Sequence, residues 1–175
     1  MSVVLVLGGA RSGKSRFAES LSHQPAHYVA TAQAFDDEMR NRIAAHKTQR
    51  GDLWVTHEEP FNLVGVLEKI DQQSGAFVLV DCLTLWLSNL LLSEKNCDEE
   101  IAQLIRFLEA SSSRIVIVSN EVGLGIVPDN ALARRFRDVQ GLANQRIAEI
   151  ANNVVFIAAG LPLILKGAMP TAQSQ

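Results

Sequence analysis

Short runs rich in Val, Ile and aromatic residues alternate along this chain with longer stretches of helical periodicity. The runs are Val3 to Leu7, Tyr28 to Ala30, Phe77 to Val80, Ile115 to Val118 and Val154 to Ala158, each the length of a buried strand. The helix-period stretches are Lys14 to Leu21, Asp36 to Gln49, Asn62 to Gln73, Thr84 to Leu92, Asp98 to Ala110 and Leu132 to Ala151. Strand then helix, repeated, calls for an α/β fold: a mostly parallel sheet with helices on both faces. Gly160 to Lys166 reads as a turn into a last edge strand, where Pro162 need not donate an N–H. No repeat or linker divides the 175 residues. The expected organisation is one nucleotide-binding domain over residues 1–167 and a small, polar, flexible tail over 168–175.

Hydrophobic residues make up 47% of the chain and charged ones 20%, enough for a sizeable core. A net charge of −3 argues against a general nucleic-acid binder. Met1 to Leu7 lacks the basic start of a signal peptide, and Leu83 to Leu92 is about half a membrane span. Cys82 and Cys97 build neither a disulfide framework nor a structural zinc site. A cytoplasmic protein without a membrane span is the expectation.

The first strand leads directly into Gly8-Gly9-Ala10-Arg11-Ser12-Gly13-Lys14-Ser15, which fits G-x-x-x-x-G-K-[ST] between a strand and a helix. Glycines let the backbone curl so that successive N–H groups face phosphate oxygens. Lys14 is placed to bridge the β- and γ-phosphates, and the Ser15 hydroxyl to ligate Mg²⁺. A second metal carboxylate is expected at the end of a nearby strand. Asp81, closing Ala76 to Val80, fills that role, with capping of the next helix as the alternative. No N-K-x-D sequence is present to read guanine as switch GTPases do.

Asp36 to Arg50 carries acids first and bases last, in line with the helix dipole. Spacing by four puts Arg42, His46 and Arg50 on one stripe with Lys47 beside it. Cations bias His46 toward its neutral, nucleophilic form and attract a triphosphate. A solvated histidine on a basic helix end explains the same residues, and the pattern alone leaves both readings open. His23, His27 and His57 read as surface or loop residues. Asn120 and Glu121 end a strand at the P-loop rim, where Glu121 faces ligand or only ties the following loop. Asp129 is expected to cap the last helix, and Arg134, Arg135, Arg137 and Arg146 to form its solvated face. The leucines from Leu83 to Leu92, with Trp86, are core or a subunit contact.

Several segments follow one known pattern in order: Gly8 to Ser15, Tyr28 to Gln33, Arg42 to Arg50, Trp54 to Glu58, Val80 to Thr84 and Ser119 to Pro128. Through them the chain resembles the bifunctional adenosylcobinamide kinase/adenosylcobinamide-phosphate guanylyltransferase family from the first strand to about Lys166. The resemblance implies a RecA-like P-loop NTPase fold, GTP and ATP as substrates, Mg²⁺, and an adenosylcobinamide acceptor. It implies a homo-oligomer, a trimer among the options. It places Gly8, Gly9, Ala10, Arg11, Ser12, Gly13, Lys14 and Ser15 on the phosphates. Thr31, Ala32, Gln33, Lys47, Thr48, Gln49, Arg50, Glu58 and Asp81 become further nucleotide contacts. His46 becomes the catalytic residue, attacking the α-phosphorus of GTP and carrying GMP to adenosylcobinamide phosphate. Gly51 stands where the family often has proline, and the tail after Lys166 matches no part of the pattern. Competing readings are a P-loop small-molecule kinase without a covalent intermediate and a RecA-like nucleotide-dependent binding module.

Overall fold

A computed structural model describes residues 2–22, 25–33, 53–73 and 75–172. The expected helix from Asp36, with His46, Lys47, Thr48, Gln49 and Arg50, lies outside the described residues, as does His23.

The described strands are β1 (Ser2–Gly8), β2 (Ala26–Ala30), β3 (Trp54–Glu58), β4 (Phe77–Asp81), β5 (Arg114–Asn120), β6 (Asn153–Ala158) and β7 (Leu161–Lys166). They form one seven-stranded sheet in the order β3-β2-β4-β5-β1-β6-β7. Every pairing is parallel except that of β6 with β7. The helices among the described residues, in chain order, are α1 (Lys14–Glu19), α2 (Leu63–Asp71), α3 (Leu83–Leu92), α4 (Cys97–Ala110) and α5 (Ala131–Ile150).

The two-residue period of the strands sorts their side chains into two cores. Leu5, Leu7, Val80, Ile115 and Ile117 pack with α2, α3, α4 and α5 on one face. Val4, Val6, Leu79, Val116 and Val118 pack with Ala18 of α1 and with Leu21 on the other. Leu83, Trp86, Leu87, Leu90 and Leu91 are buried, so α3 is core, and only Leu92 at its end is exposed.

β3 is a strand that hydrophobic runs do not announce. It is an edge, with Val55, Thr56 and Glu58 exposed, so it lacks the continuous apolar run of the central strands. Asn130, not Asp129, caps α5: its Oδ1 accepts the Ala133 N–H at 2.8 Å. The Asp129 carbonyl instead accepts from Arg134 Nη1 at 2.7 Å, which ties the half-buried Arg134 back over the start of the helix. In the tail, Arg114 Nη2 donates to the Thr171 carbonyl and Asn153 Nδ2 to that of Ala168, while Pro170 is buried.

Candidate active site

β1 ends at Gly8 on the carboxyl edge of the sheet, and the loop from Gly9 to Gly13 turns the chain into α1. A side chain at Gly8 would strike the Ile157 carbonyl and Ser12 Oγ, each 2.6 Å from the point its Cβ would occupy. Gly13 has φ +97°, and its Cβ would lie 3.2 Å from the Gly160 Cα, so both conformation and space demand glycine there. The loop is fixed by hydrogen bonds from Ser12 N–H to the Gly9 carbonyl at 3.3 Å and from Gly160 N–H to the Ser12 carbonyl at 2.8 Å. Lys14 Nζ donates to the Gly9 carbonyl at 3.0 Å, so the ammonium spans the loop. Gly13 offers no side chain to cap α1, which leaves its first-turn N–H groups uncapped by side chains.

β5 lies between β1 and β4, with Gly8 in register with Asn120 and Val118 with Asp81. Alternation along these strands puts Asp81 and Asn120 on the α1 face, with Val116 and Val118. Tyr28, also on that face, donates its hydroxyl to Asp81 Oδ2 at 2.8 Å, orienting the carboxylate. Cys82, not Asp81, stands at the N-cap position of α3, without a side-chain cap bond. Ser15 and Asp81 offer hard oxygen ligands, a donor set that fits Mg²⁺. Ser12 Oγ and Asn120 Oδ1 are buried without a hydrogen-bond partner among the described residues. Burial first, and the Asp81 carboxylate second, push the Cys82 thiol up to about 11, so it stays protonated and is no nucleophile at neutral pH.

The rim is braced from behind. Thr31 is fully buried; its hydroxyl donates to the Cys82 carbonyl at 2.7 Å and accepts from the Cys82 N–H at 2.9 Å. That places the Thr31 side chain behind the rim, while Ala32 and Gln33 are half-buried just beyond it. Asn89 Nδ2 donates to the carbonyls of Thr31 at 2.8 Å and Pro60 at 3.1 Å, tying the ends of β2 and β3 to α3. On the other side, the Asn120 N–H donates to Thr84 Oγ1 at 2.7 Å, and Asn144 Nδ2 to the Asn120 carbonyl at 3.1 Å. Asn89 and Asn144 carry no motif signal, and Tyr28 and Thr84, though inside segments of the family pattern, have no legible role there, because each of the four acts on a residue distant in sequence. Glu121 ties the loop: its Oε1 accepts from the Gly123 N–H at 2.6 Å.

Glu58, the exposed last residue of β3, pairs across from Ala30. His27 and His57 are not isolated surface or loop groups, because strand pairing brings β2 and β3 side by side. Nδ1 of His27 lies 3.0 Å from Nε2 of His57, and Nε2 of His27 lies 3.2 Å from Gln73 Oε1. The Gln73 oxygen calls for a proton on Nε2 of neutral His27, leaving Nδ1 to accept from His57. Burial, and then His27, lower the His57 pKa.

The family model for cobinamide kinase / cobinamide phosphate guanyltransferase matches residues 4–165. The chain belongs to this family. It is 49% identical over 168 residues to the bifunctional adenosylcobalamin biosynthesis protein CobP of Pseudomonas aeruginosa, covering 93% of this chain and 96% of that protein. Identity is 39% over 181 residues to the bifunctional adenosylcobalamin biosynthesis protein CobU of Salmonella typhimurium, covering 94% of this chain and 99% of that one. Among solved structures, the flagellar accessory protein FlaH of Methanocaldococcus jannaschii superposes with a TM-score of 0.54 at 14% identity, covering 99% of this chain and 82% of that one. A type III secretion ATPase superposes with a TM-score of 0.55 at 12% identity, covering 93% of this chain and 56% of that one. At such identities the likeness concerns the fold alone, a mostly parallel α/β sheet of the P-loop NTPase kind that the resemblance implies.

Proposed function

We propose that this chain catalyses both reactions of its family: phosphorylation of adenosylcobinamide with ATP or GTP, and transfer of GMP from GTP to adenosylcobinamide phosphate. The observation that carries this reading is the family match over residues 4–165, which includes the P-loop crest beside Asp81. Gly8 to Ser15 hold the nucleotide phosphates, with Lys14 on the β- and γ-phosphates. Ala32, Gln33, Lys47, Thr48, Gln49, Arg50 and Glu58 form the rest of the nucleotide site. Thr31 supports this rim from behind. Ser15 and Asp81 would hold Mg²⁺, which when bound neutralises phosphate charge.

In the kinase step, the acceptor hydroxyl oxygen forms a bond to the γ-phosphorus, the bond from that phosphorus to the bridging oxygen breaks, and the hydroxyl proton leaves. A P-loop suits this reaction, since catalysis is mostly positioning and charge stabilisation. Transfer of GMP needs attack at the α-phosphorus. His46 attacks it, forming a nitrogen–phosphorus bond as pyrophosphate departs. A phosphate oxygen of adenosylcobinamide phosphate then displaces the imidazole, giving adenosylcobinamide-GDP. The two-step route lets one site release pyrophosphate before it admits a bulky acceptor. Lys47 and Arg50 stabilise charge on the α-phosphate during loading.

No helix among the described residues is long and apolar enough to cross a membrane. The biosynthetic relatives support a cytoplasmic location, and a net charge of −3 supports the reading without a nucleic-acid partner. The outer strand β7 exposes Leu161, Leu163 and Leu165, which supports a homo-oligomer, a trimer among the options. Incubation with α-labelled GTP tests the covalent route. Acid-labile, alkali-stable label on the protein, absent in His46→Asn, is the expected result. Turnover to adenosylcobinamide-GDP by His46→Asn, or by wild type without any protein-bound label, overturns it.

A further inference from the structure

The loop that leaves the crest after β5 directs its apolar residues into solvent. Leu124 is 82% exposed, Ile126 97%, Val127 60%, and Leu132 on α5 51%. The loop is braced in this state. At its start the Glu121 N–H donates to the Gly8 carbonyl at 3.1 Å. At its end Arg134 Nη1 donates to the Pro128 and Asp129 carbonyls at 3.0 and 2.7 Å. Four large apolar side chains this exposed, three of them on one anchored loop, mark a contact site rather than ordinary surface.

Position decides the occupant. The bond from Glu121 to Gly8 makes the loop continuous with the phosphate crest, and chain reach keeps Leu124 within about 11 Å of Glu121. At the far end of the loop, a cleft of 270 Å³ between α3 and α5, lined in part by Leu91, Leu92, Leu132 and Phe136, extends the apolar surface. Nucleotide phosphates have no use for such a surface. The family's other substrate does, because a corrin is a broad macrocycle whose ring carbons and methyl groups offer apolar area between its polar amide arms, and whose reacting hydroxyl or phosphate sits on a side arm. A second protein copy fits less well: one loop offers on the order of a few hundred Å², against roughly 800 Å² per partner in a standard interface.

We propose that Leu124, Ile126 and Val127 form the docking platform for the corrin ring, seating it so that its side arm reaches the P-loop. This rests on the kinase and guanylyltransferase reading above. The test is the double variant L124S/I126S in the full chain. Measured quantities are cobinamide binding by equilibrium dialysis, read from corrinoid absorbance, KM for cobinamide in the kinase assay, protein labelling by α-labelled GTP, and mass by sedimentation. Cobinamide affinity should fall, and KM rise, by roughly tenfold or more, the loss expected when two apolar contacts are removed. Labelling and mass should match wild type, and Leu124→Met with Ile126→Leu should restore cobinamide binding. Unchanged cobinamide affinity with intact labelling overturns the platform and leaves the proposed function standing. A lowered mass also overturns it, because the patch is then a subunit contact. Wild-type protein that neither takes label nor phosphorylates cobinamide overturns the functional reading itself.

Discussion

Thr31→Val isolates the brace behind the nucleotide rim. Valine keeps the shape of threonine and removes its hydroxyl, which serves both the carbonyl and the N–H of Cys82 at 2.7 and 2.9 Å. Thr31 is fully buried, so water does not replace what is lost. The Cys82 carbonyl keeps its bond from the Trp86 N–H at 3.2 Å, so only the Cys82 N–H is left unsatisfied, at a cost of about 1–3 kcal/mol. For a chain of this size each kcal/mol moves the melting temperature by about 2–4 °C, so a drop of about 2–12 °C is expected. Thr31→Ser keeps both bonds and loses one methyl, worth on the order of 1 kcal/mol, and should melt only a few degrees low. Because Cys82 follows Asp81, the Val variant should also bind nucleotide more weakly than the Ser variant. Scanning calorimetry and a fluorescent-nucleotide titration on all three proteins supply both readings. Equal melting temperatures for the Val and Ser variants would refute the assignment of these two bonds as the brace.

Gly13→Ala forces a Cβ onto a left-handed backbone, 3.2 Å from the Gly160 Cα. It should cost about 1–2 kcal/mol, read as a lowered melting temperature with weakened nucleotide binding. The lowered pKa of His57, caused by burial and then by His27, keeps the folded protein from taking up a proton that the unfolded chain accepts. Full stability is therefore present above about pH 6.5 and declines as pH falls below it; urea midpoints across this window should show that slope in wild type and lose it in His57→Gln. Asp71 follows the same sign in a more acidic window: burial raises its pKa, but hydrogen bonds from Ser113, Ser111 and Ser112 outweigh that and hold it below the usual carboxylate value. Its contribution is complete above about pH 4 and disappears in stronger acid, so Asp71→Asn should flatten the acid limb of the unfolding curve.

Legibility in this sequence follows the range of the interactions involved. The P-loop is readable because eight consecutive residues carry its pattern, and the positive φ of Gly13 alone already calls for glycine, before the closeness of Gly160 adds to the demand. The central strands are readable because burial on both faces writes continuous runs such as Phe77 to Val80. β3 escapes the same test because an edge strand half in water mixes Val55 and Thr56 with His57 and Glu58. Capping shows how fine the local limit is: Asp129 and Asn130 are both good capping types, and only the bond to Ala133 distinguishes them.

Around the site, the illegible part is everything fixed by register. Thr31 stands inside a stretch that reads as nucleotide contact, yet its hydroxyl bonds to a residue 51 positions away, a pairing that exists only once β2 lies beside β4. Ser119 and Asn120 make the point most sharply. They are neighbours in sequence and similar in polarity, but alternation sends them to opposite faces of β5. Ser119 donates to Asn144 Oδ1 at 2.7 Å and accepts from Gln140 at 2.8 Å, in a buried net under α5. Asn120 lies beside Gly8 on the α1 face, with its Oδ1 buried and unpaired among the described residues. A one-residue slip of β5 would exchange the two, withdrawing the amide from the phosphate crest and stranding it in the core. The apolar residues packed on both faces of β5, Ile115 and Ile117 on one and Val116 and Val118 on the other, are what forbid that slip. The hydrophobic pattern of the strand thus determines which polar side chain stands beside Gly8 at the start of the P-loop.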